Sequence, residues 1–372
     1  MAPEQAFDQI SARLGRWPDI ETHDLVAADQ SDRLILAEMG SAPGDVVVIG
    51  DQFGALTLSI LSAMPGTRIR VHQDAITGER ALAANAQRLG IDLSDISWHP
   101  LDESLTSGAD SVIGHLPRGL DALDEIAGAI ADHADPSVRV VLGGRVKHMT
   151  TTMNDALRLH FRDVRASRGV SKSRALHASA PIAGAGSPWP RCAARDGLTI
   201  VAHGAAFAGT GLDIGTRFLL TFLEDMPDAE YAVDLGCGTG AIATSYALAR
   251  PNARVLATDR SAAAVDSAAA TASANGVADR VQVVRDDGLL AQPDASADLV
   301  MLNPPFHSGA AVTDEIAPRQ FADAARVLRP GGELWTVWNG HLRYRPQLER
   351  IVGPTRQVGR DRTFTVTASV RR

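Results

Sequence analysis

Cysteine and lysine are scarce in this chain, and the first shortage removes a class of protein. Cys192 and Cys237 are the only cysteines in 372 residues. They are too few and too far apart for a disulfide framework or a metal cluster, so a reducing, cytosolic setting and no metal are expected. No run of about 18 apolar residues occurs, so no membrane-spanning helix is expected. The start, MAPEQAFDQI, has neither a cationic segment nor an apolar one, so it does not read as a secretory leader. A net charge of −8 taken alone argues against a nucleic-acid partner. What remains is a globular chain, 45% hydrophobic with mean hydropathy −0.03, of comfortable length for two domains.

The two lysines are informative because both fall in one place. From Arg139 to Arg174 the chain carries nine bases, Lys147 and Lys172 among them, against Asp155 and Asp163. Such a local basic surface on an acidic protein can hold phosphates without general stickiness.

The chain is organised around Tyr231-AVDLGCGTG. Apolar residues flank Asp234, then Gly236, Gly238 and Gly240 alternate, and a helical pattern follows. This reads as buried strand, tight turn and helix. Glycine admits a ligand close to the backbone, and the helix N-terminus is expected to supply unpaired N–H groups. The turn alone also satisfies a dinucleotide fingerprint. Asp259 closes the next strand, VLATD, where an acid can accept hydrogen bonds from both hydroxyls of a ribose, whichever adenosine cofactor is bound.

Residues 1 to about 40 read as helical, with Leu14, Leu25, Leu34, Ile35 and Met39 as candidate core. Asp45-VVVIGDQFG is then a second strand, turn and helix. Gly50 and Gly236 are separated by the same interval as Gln73 and Asp259 (236 − 50 and 259 − 73), which points to an internal duplication. The first copy has lost the chemistry. Asp51, Gln52 and Phe53 stand where small residues would clear a cofactor, Gln73 replaces the ribose acid, and His115-Leu-Pro-Arg118 replaces Asn303-Pro-Pro-Phe306. The small, proline-rich stretch Ala178–Pro190 reads as a linker. The expected division is a degenerate domain over 1–178, a linker over 179–192 and a catalytic domain over 193–372. Arg329-Pro-Gly-Gly reads as a turn before a late strand.

The strand ending in Asn303-Pro-Pro-Phe-His307 resembles the fourth motif of class I S-adenosylmethionine-dependent methyltransferases that act on exocyclic or amide nitrogens. Together with FAGTGLDIGTRFLL, VDLGCGTGA and LRPGGELWTVWN it resembles the bacterial ribosomal RNA guanine-N2 methyltransferases with a duplicated methyltransferase fold. His115-Leu-Pro-Arg118, and Gly144-Arg-Val-Lys147 with Lys172-Ser-Arg174, look like the branch acting on the large subunit. The resemblance spans nearly the whole chain. It implies an α/β protein of two tandem Rossmann-like domains, the second with a seven-stranded sheet. Two departures stand out: the poverty in lysine, and Asp286-Asp287 where family members often carry an asparagine.

The resemblance implies S-adenosylmethionine as cofactor, ribosomal RNA or a ribosomal subunit as partner, and a monomer, since a duplicated chain mimics a dimer. Asn303 and the Pro304 carbonyl would accept the hydrogens of the guanine amine, Phe306 would stack on the extruded base and His307 would help hold it. Asp234, Gly236, Gly238 and Gly240 are assigned to the amino-acid end of the cofactor, Asp259 to its ribose, and Asp286 or Asp287 to its adenine, with Asn303 also near the cofactor. Thr210 and Asp213 to Thr216 are expected to close over it. Arg145, Lys147, Lys172 and Arg174 are the candidate RNA contacts. The competing readings are a same-fold enzyme acting on protein glutamine or DNA adenine, and a non-catalytic RNA-binding assembly factor.

Overall fold

A computed structural model describes residues 1–21, 25–40, 44–182, 184, 186–305 and 310–372, without the side chains of 310–315. The chain divides into two compact units, Met1–Trp189 and Pro190–Arg372.

In the N-terminal unit the strands are β1 (Val46–Ile49), β2 (Ile69–His72), β3 (Ile96–Trp98), β4 (Ser111–His115), β5 (Arg139–Arg145), β6 (Phe161–Ala166) and β7 (Ser173–Pro181). Its helices are α1 (Pro3–Ile10), α2 (Gln30–Met39), α3 (Ala55–Ala63), α4 (Ile76–Leu89), α5 (Glu103–Thr106), α6 (Leu120–His133) and α7 (Thr152–Arg158). The C-terminal unit opens with a hairpin of β8 (Arg191–Arg195) and β9 (Leu198–Ala202). There follow β10 (Tyr231–Leu235), β11 (Arg254–Asp259), β12 (Val281–Arg285), β13 (Ala297–Leu302), β14 (Leu328–Asn339), β15 (Thr355–Arg360) and β16 (Phe364–Val370). Its helices are α8 (Ile214–Leu220), α9 (Ala241–Ala249), α10 (Ala262–Ala274), α11 (Ala310–Val327) and α12 (Arg345–Ile351).

The two main sheets have one topology. Their orders are β3-β2-β1-β4-β5-β7-β6 and β12-β11-β10-β13-β14-β16-β15. In each, the first five strands in the order are parallel, the sixth runs antiparallel to both its neighbours, and the seventh runs with the first five. The register agrees as well. Val48 lies beside Val71 and Ile113, and Asp234 lies beside Ala257 and Met301. The duplication expected from sequence is therefore present strand by strand. All of Val46–Ile49 is buried, as is usual for a central parallel strand with helices on both faces. The order reverses beside β1 and beside β10, so a crevice opens at the carboxyl ends of those strands.

One packing detail repeats across both copies. Gly54 and Gly240 cap α3 and α9 with positive φ, 82° and 73°. A Cβ on Gly54 would meet Leu82 Cγ at 2.9 Å, and one on Gly240 would meet Ala268 Cβ at 2.8 Å. Each glycine lets its helix begin against the next one.

Three local expectations need correction. The first helix stops early: α1 and a short 3-10 turn end at Arg13, and regular helix resumes only at Gln30. Gly15 and Pro18 break the pattern between. Leu34, Ile35 and Met39 are buried, whereas Leu14 and Leu25 are half-buried. Arg329-Pro-Gly-Gly332 is not a turn before a strand but an irregularity inside β14, where the register to β13 shifts between Ala297 and Leu299. The presumed linker carries structure too. β7 runs to Pro181, and Trp189 Nε1 donates to Asp124 Oδ2 on α6 at 2.9 Å.

Candidate active site

The acids and glycines singled out in the second copy converge at the carboxyl edge of β10, β11 and β12. Gly236, Gly238 and Gly240 all have positive φ. A Cβ on Gly238 would meet nothing within 4 Å, so the turn borders open space. Within the turn itself, four N–H groups are engaged. Those of Gly236 and Cys237 donate to the Thr258 carbonyl, that of Gly240 to the Cys237 carbonyl, and that of Gly238 to Asp259 Oδ2. A diphosphate needs such donors together with positive potential. Here four donors of the turn are engaged and the carboxylates of Asp234 and Asp259 stand beside it, which suits a cationic ligand such as a sulfonium.

Asp234 is fully buried, and its Oδ2 accepts from the Ala243 N–H of α9 at 2.9 Å. Its Oδ1 has no partner among the described residues. Burial pushes its carboxyl up to about 7. Burial and the nearby carboxylates of Asp259 and Asp234 raise the Cys237 thiol, so it is a packing residue and no nucleophile at neutral pH. Asp259 accepts from Gly238 and, through Oδ1, from the Ser261 N–H at 3.0 Å.

The two adjacent acids after β12 differ. Asp286 is 3% exposed, and both its oxygens accept backbone N–H groups, from Asp287 and Ala291, at 2.8 Å. It braces the loop. Asp287 is half-buried.

Asn303 follows the end of β13, half-buried, with Pro304 buried behind it. Its amide nitrogen donates both hydrogens, one to Asp213 Oδ2 and one to Thr216 Oγ1, each at 2.9 Å. Its oxygen is buried with no partner among the described residues. Asp213 is the N-cap of α8 and accepts the Thr216 N–H with the same oxygen. Asp213 and Thr216, expected over the cofactor, hold Asn303. The sequence did signal a helix start, with Asp three residues before Thr and an apolar run following, but not which strand end that start would meet. Arg217 pairs with Asp196 at the surface. Phe306 and His307 lie outside the described residues.

The first copy repeats this arrangement with other chemistry. Asp29 caps α2, and Asp32, three residues on, bonds His115 Nε2 at 2.8 Å. His115 holds the strand-end place of Asn303, opposite Gly143 at the end of β4. The turn of that copy is crowded. Phe53 is buried under the Arg16 guanidinium, and the Gln73 amide donates to the Asp51 carbonyl.

The candidate RNA contacts gather at one end of the N-terminal sheet. On the β5–β7 pair, Gly144 faces Arg174 and Arg145 faces Ser173. Val146 N–H then bonds the Lys172 carbonyl, and Lys147 sits in the adjoining turn. Arg158 of the same basic stretch belongs elsewhere, paired with Asp155 on α7. Among the described residues no group of three or more His, Cys, Asp or Glu could hold a metal. No described helix is long and apolar enough to cross a membrane.

Residues 197–368 match the methyltransferase small domain family, and residues 3–181 match the RLMG N-terminal domain. The chain is 36% identical to the ribosomal RNA large subunit methyltransferase G of Streptomyces coelicolor, over 96% of this chain and 97% of that one. It is 35% identical to the protein of that name from Pseudomonas aeruginosa, over 95% and 96%. In fold it matches the T. thermophilus 16S rRNA N2 methyltransferase solved with AdoMet and guanosine, at TM-score 0.73 and 21% identity over 92% of each chain. The chain belongs to the ribosomal RNA large subunit methyltransferase G family.

Proposed function

We propose that the protein methylates the exocyclic N2 of a guanine in large-subunit ribosomal RNA, with S-adenosylmethionine as methyl donor and the C-terminal unit as catalyst. When bound, the cofactor supplies an electrophilic methyl on a cationic sulfur. The acceptor amine is a weak nucleophile because its lone pair is delocalised into the ring. The chain's task is to hold that amine, draw on its hydrogens and exclude alternatives.

The observation that carries the reading is the amide of Asn303. With both N–H bonds engaged by Asp213 and Thr216, it cannot rotate to offer a donor without breaking two hydrogen bonds. Its unpartnered oxygen is the group left for the substrate, and an acceptor is what an amine requires. Asp213 adds a charge-assisted bond that increases electron density on that oxygen. The Pro304 carbonyl takes the second amine hydrogen, on a backbone stiffened by two prolines. Phe306 stacks on the base and His307 helps hold it. Once the methyl has moved, the excess proton passes to water, so no buried base is required.

For the cofactor, Asp234 and the glycine turn take the amino-acid end, and Asp259, at the end of β11, takes the ribose hydroxyls. Asp287 is preferred to Asp286 for the adenine amine, because Asp286 already braces its own loop. The N-terminal unit grips RNA through Arg145, Lys147, Lys172 and Arg174, and the protein acts as a monomer in the cytosol. The test is Asn303→Ala. Methyl transfer to rRNA falls at least about 100-fold while S-adenosylmethionine binding, read by calorimetry, stays within about threefold. Unchanged turnover would refute the assignment.

A further inference from the structure

The N-terminal unit has lost the catalytic residues but keeps a cavity where the second copy would seat its acceptor. It measures about 330 Å³ and lies between the end of β4, the start of α2 and the end of β5. That is within the usual range of small-ligand pockets, about 300–1,000 Å³. We propose that this cavity is a second nucleotide seat, which takes a nucleotide of the RNA substrate by its phosphate. The inference rests on the RNA reading above and goes beyond the surface contacts assigned there.

Three replacements made the seat. Arg118 stands three residues after His115, as Phe306 stands after Asn303, so an anion-binding fork replaces a stacking ring. Gly144 follows the residue paired with His115 on β5. Gly144 is thus two residues past Leu142, the partner of Gly114, and two residues past Thr336, the partner of Leu302, stands the buried Trp338. A Cβ on Gly144 would meet only Leu116 Cβ, at 3.9 Å, so the missing side chain leaves usable room. Finally, Phe53 under Arg16 narrows the cofactor end, where both residues line the same cavity.

The charges sort in the same direction. Three carboxylates line the cavity, and each has other work. Asp32 holds His115, Asp29 caps α2 and faces Arg145 at 3.4 Å, and buried Asp51 accepts from two N–H groups of α3. By contrast, Arg118 and Lys147 form no ion pair with any described residue. Desolvation and the positive charges of Arg118, Lys147 and Arg145 hold the His148 imidazolium below its usual range. That is the mark of cations converging on one mouth. Lys172 and Arg174 extend the same surface, so a strand seated by its phosphate can continue along it.

Two full-length variants separate the pocket from the charged surface. Gly144→Phe fills the cavity and keeps every charge; Arg118→Ala removes the fork. A six-nucleotide RNA and guanosine monophosphate serve as probes, read by anisotropy and calorimetry, with S-adenosylmethionine affinity as the control for folding. Both variants are expected to weaken the hexamer about tenfold with cofactor affinity unchanged, and the mononucleotide to bind far more weakly than the hexamer. An unchanged hexamer affinity in Gly144→Phe would overturn the pocket, and a mononucleotide that binds as tightly as the hexamer would overturn an RNA strand as its ligand. Should Gly144→Phe fail to fold, photocross-linking of 4-thiouridine RNA to the wild type decides. Adducts on 115–118 or 144–149 support the seat, and adducts confined to 172–174 refute it. Because these are binding readouts, the pocket can fail while methylation of rRNA stands, and the reverse.

Discussion

The side-chain amide of Asn303 is held by the carboxylate of Asp213 at 2.9 Å, a bond from a strand end to a helix cap. That carboxylate also caps α8 through the Thr216 N–H, so the residue that starts the helix fixes the rotamer of the residue proposed to meet the substrate. Asparagine is as good a helix cap as aspartate. Asp213→Asn therefore keeps the helix and removes only the charge. We expect kcat to fall about tenfold, with KM for S-adenosylmethionine and the melting temperature nearly unchanged. A fall in stability with kcat preserved would make Asp213 a structural cap alone.

Asp234 gives a pH dependence whose sign follows from its environment. Its carboxyl moves from 3.8 to about 7 because burial disfavours the charged form. The folded state then binds the proton more tightly than the unfolded chain. The associated stability is present below about 4 and is lost as pH rises through 7. The loss is at most about 4 kcal/mol. In Asp234→Asn, which still offers an oxygen to Ala243, stability should decline less between pH 4 and 7 than in the wild type. Denaturant titrations at a series of pH values read this, and parallel curves would contradict it.

Gly240→Ala introduces strain and overlap together. The residue has φ of 73°, and the new methyl would lie 2.8 Å from Ala268 Cβ. Left-handed strain of about 1–2 kcal/mol and overpacking of about 1–3 kcal/mol sum to roughly 2–5 kcal/mol. The unfolding midpoint of the C-terminal unit should drop accordingly. A change below about 1 kcal/mol would show that α10 moves aside freely.

The basic cluster at the β5–β7 turn should act through charge and without sequence preference. Lys172→Ala with Arg174→Ala should weaken rRNA binding similarly for matched and unrelated sequences and reduce the salt slope by about 1–2. Weakening confined to one sequence would instead mean base readout.

Much of this was legible before any coordinates. The glycine turn, the acid after the next strand and the equal intervals between copies marked a duplicated α/β fold, because a parallel strand, turn and helix leave a strong periodic signature. What stayed hidden was non-local. Nothing in Asp213-Ile-Gly-Thr216 announces that its carboxylate will meet Asn303, since that contact depends on how α8 is placed against β13. Asp286 and Asp287 were indistinguishable as letters. Only burial and two backbone donors make one of them a brace. The N–H groups of the glycine turn looked available because a sequence does not show that the Thr258 carbonyl and Asp259 engage them. The Gly144 vacancy likewise needed the register of β5 before Trp338 could be set against it.

The most direct measurement is transfer of labelled methyl from S-adenosylmethionine to large-subunit rRNA, to small-subunit rRNA and to each assembled subunit, followed by nucleoside analysis. The account predicts N2-methylguanosine in large-subunit RNA with the wild type and none with Asn303→Ala. Label in another nucleoside, in small-subunit RNA alone, or in no RNA while the cofactor still binds would contradict it.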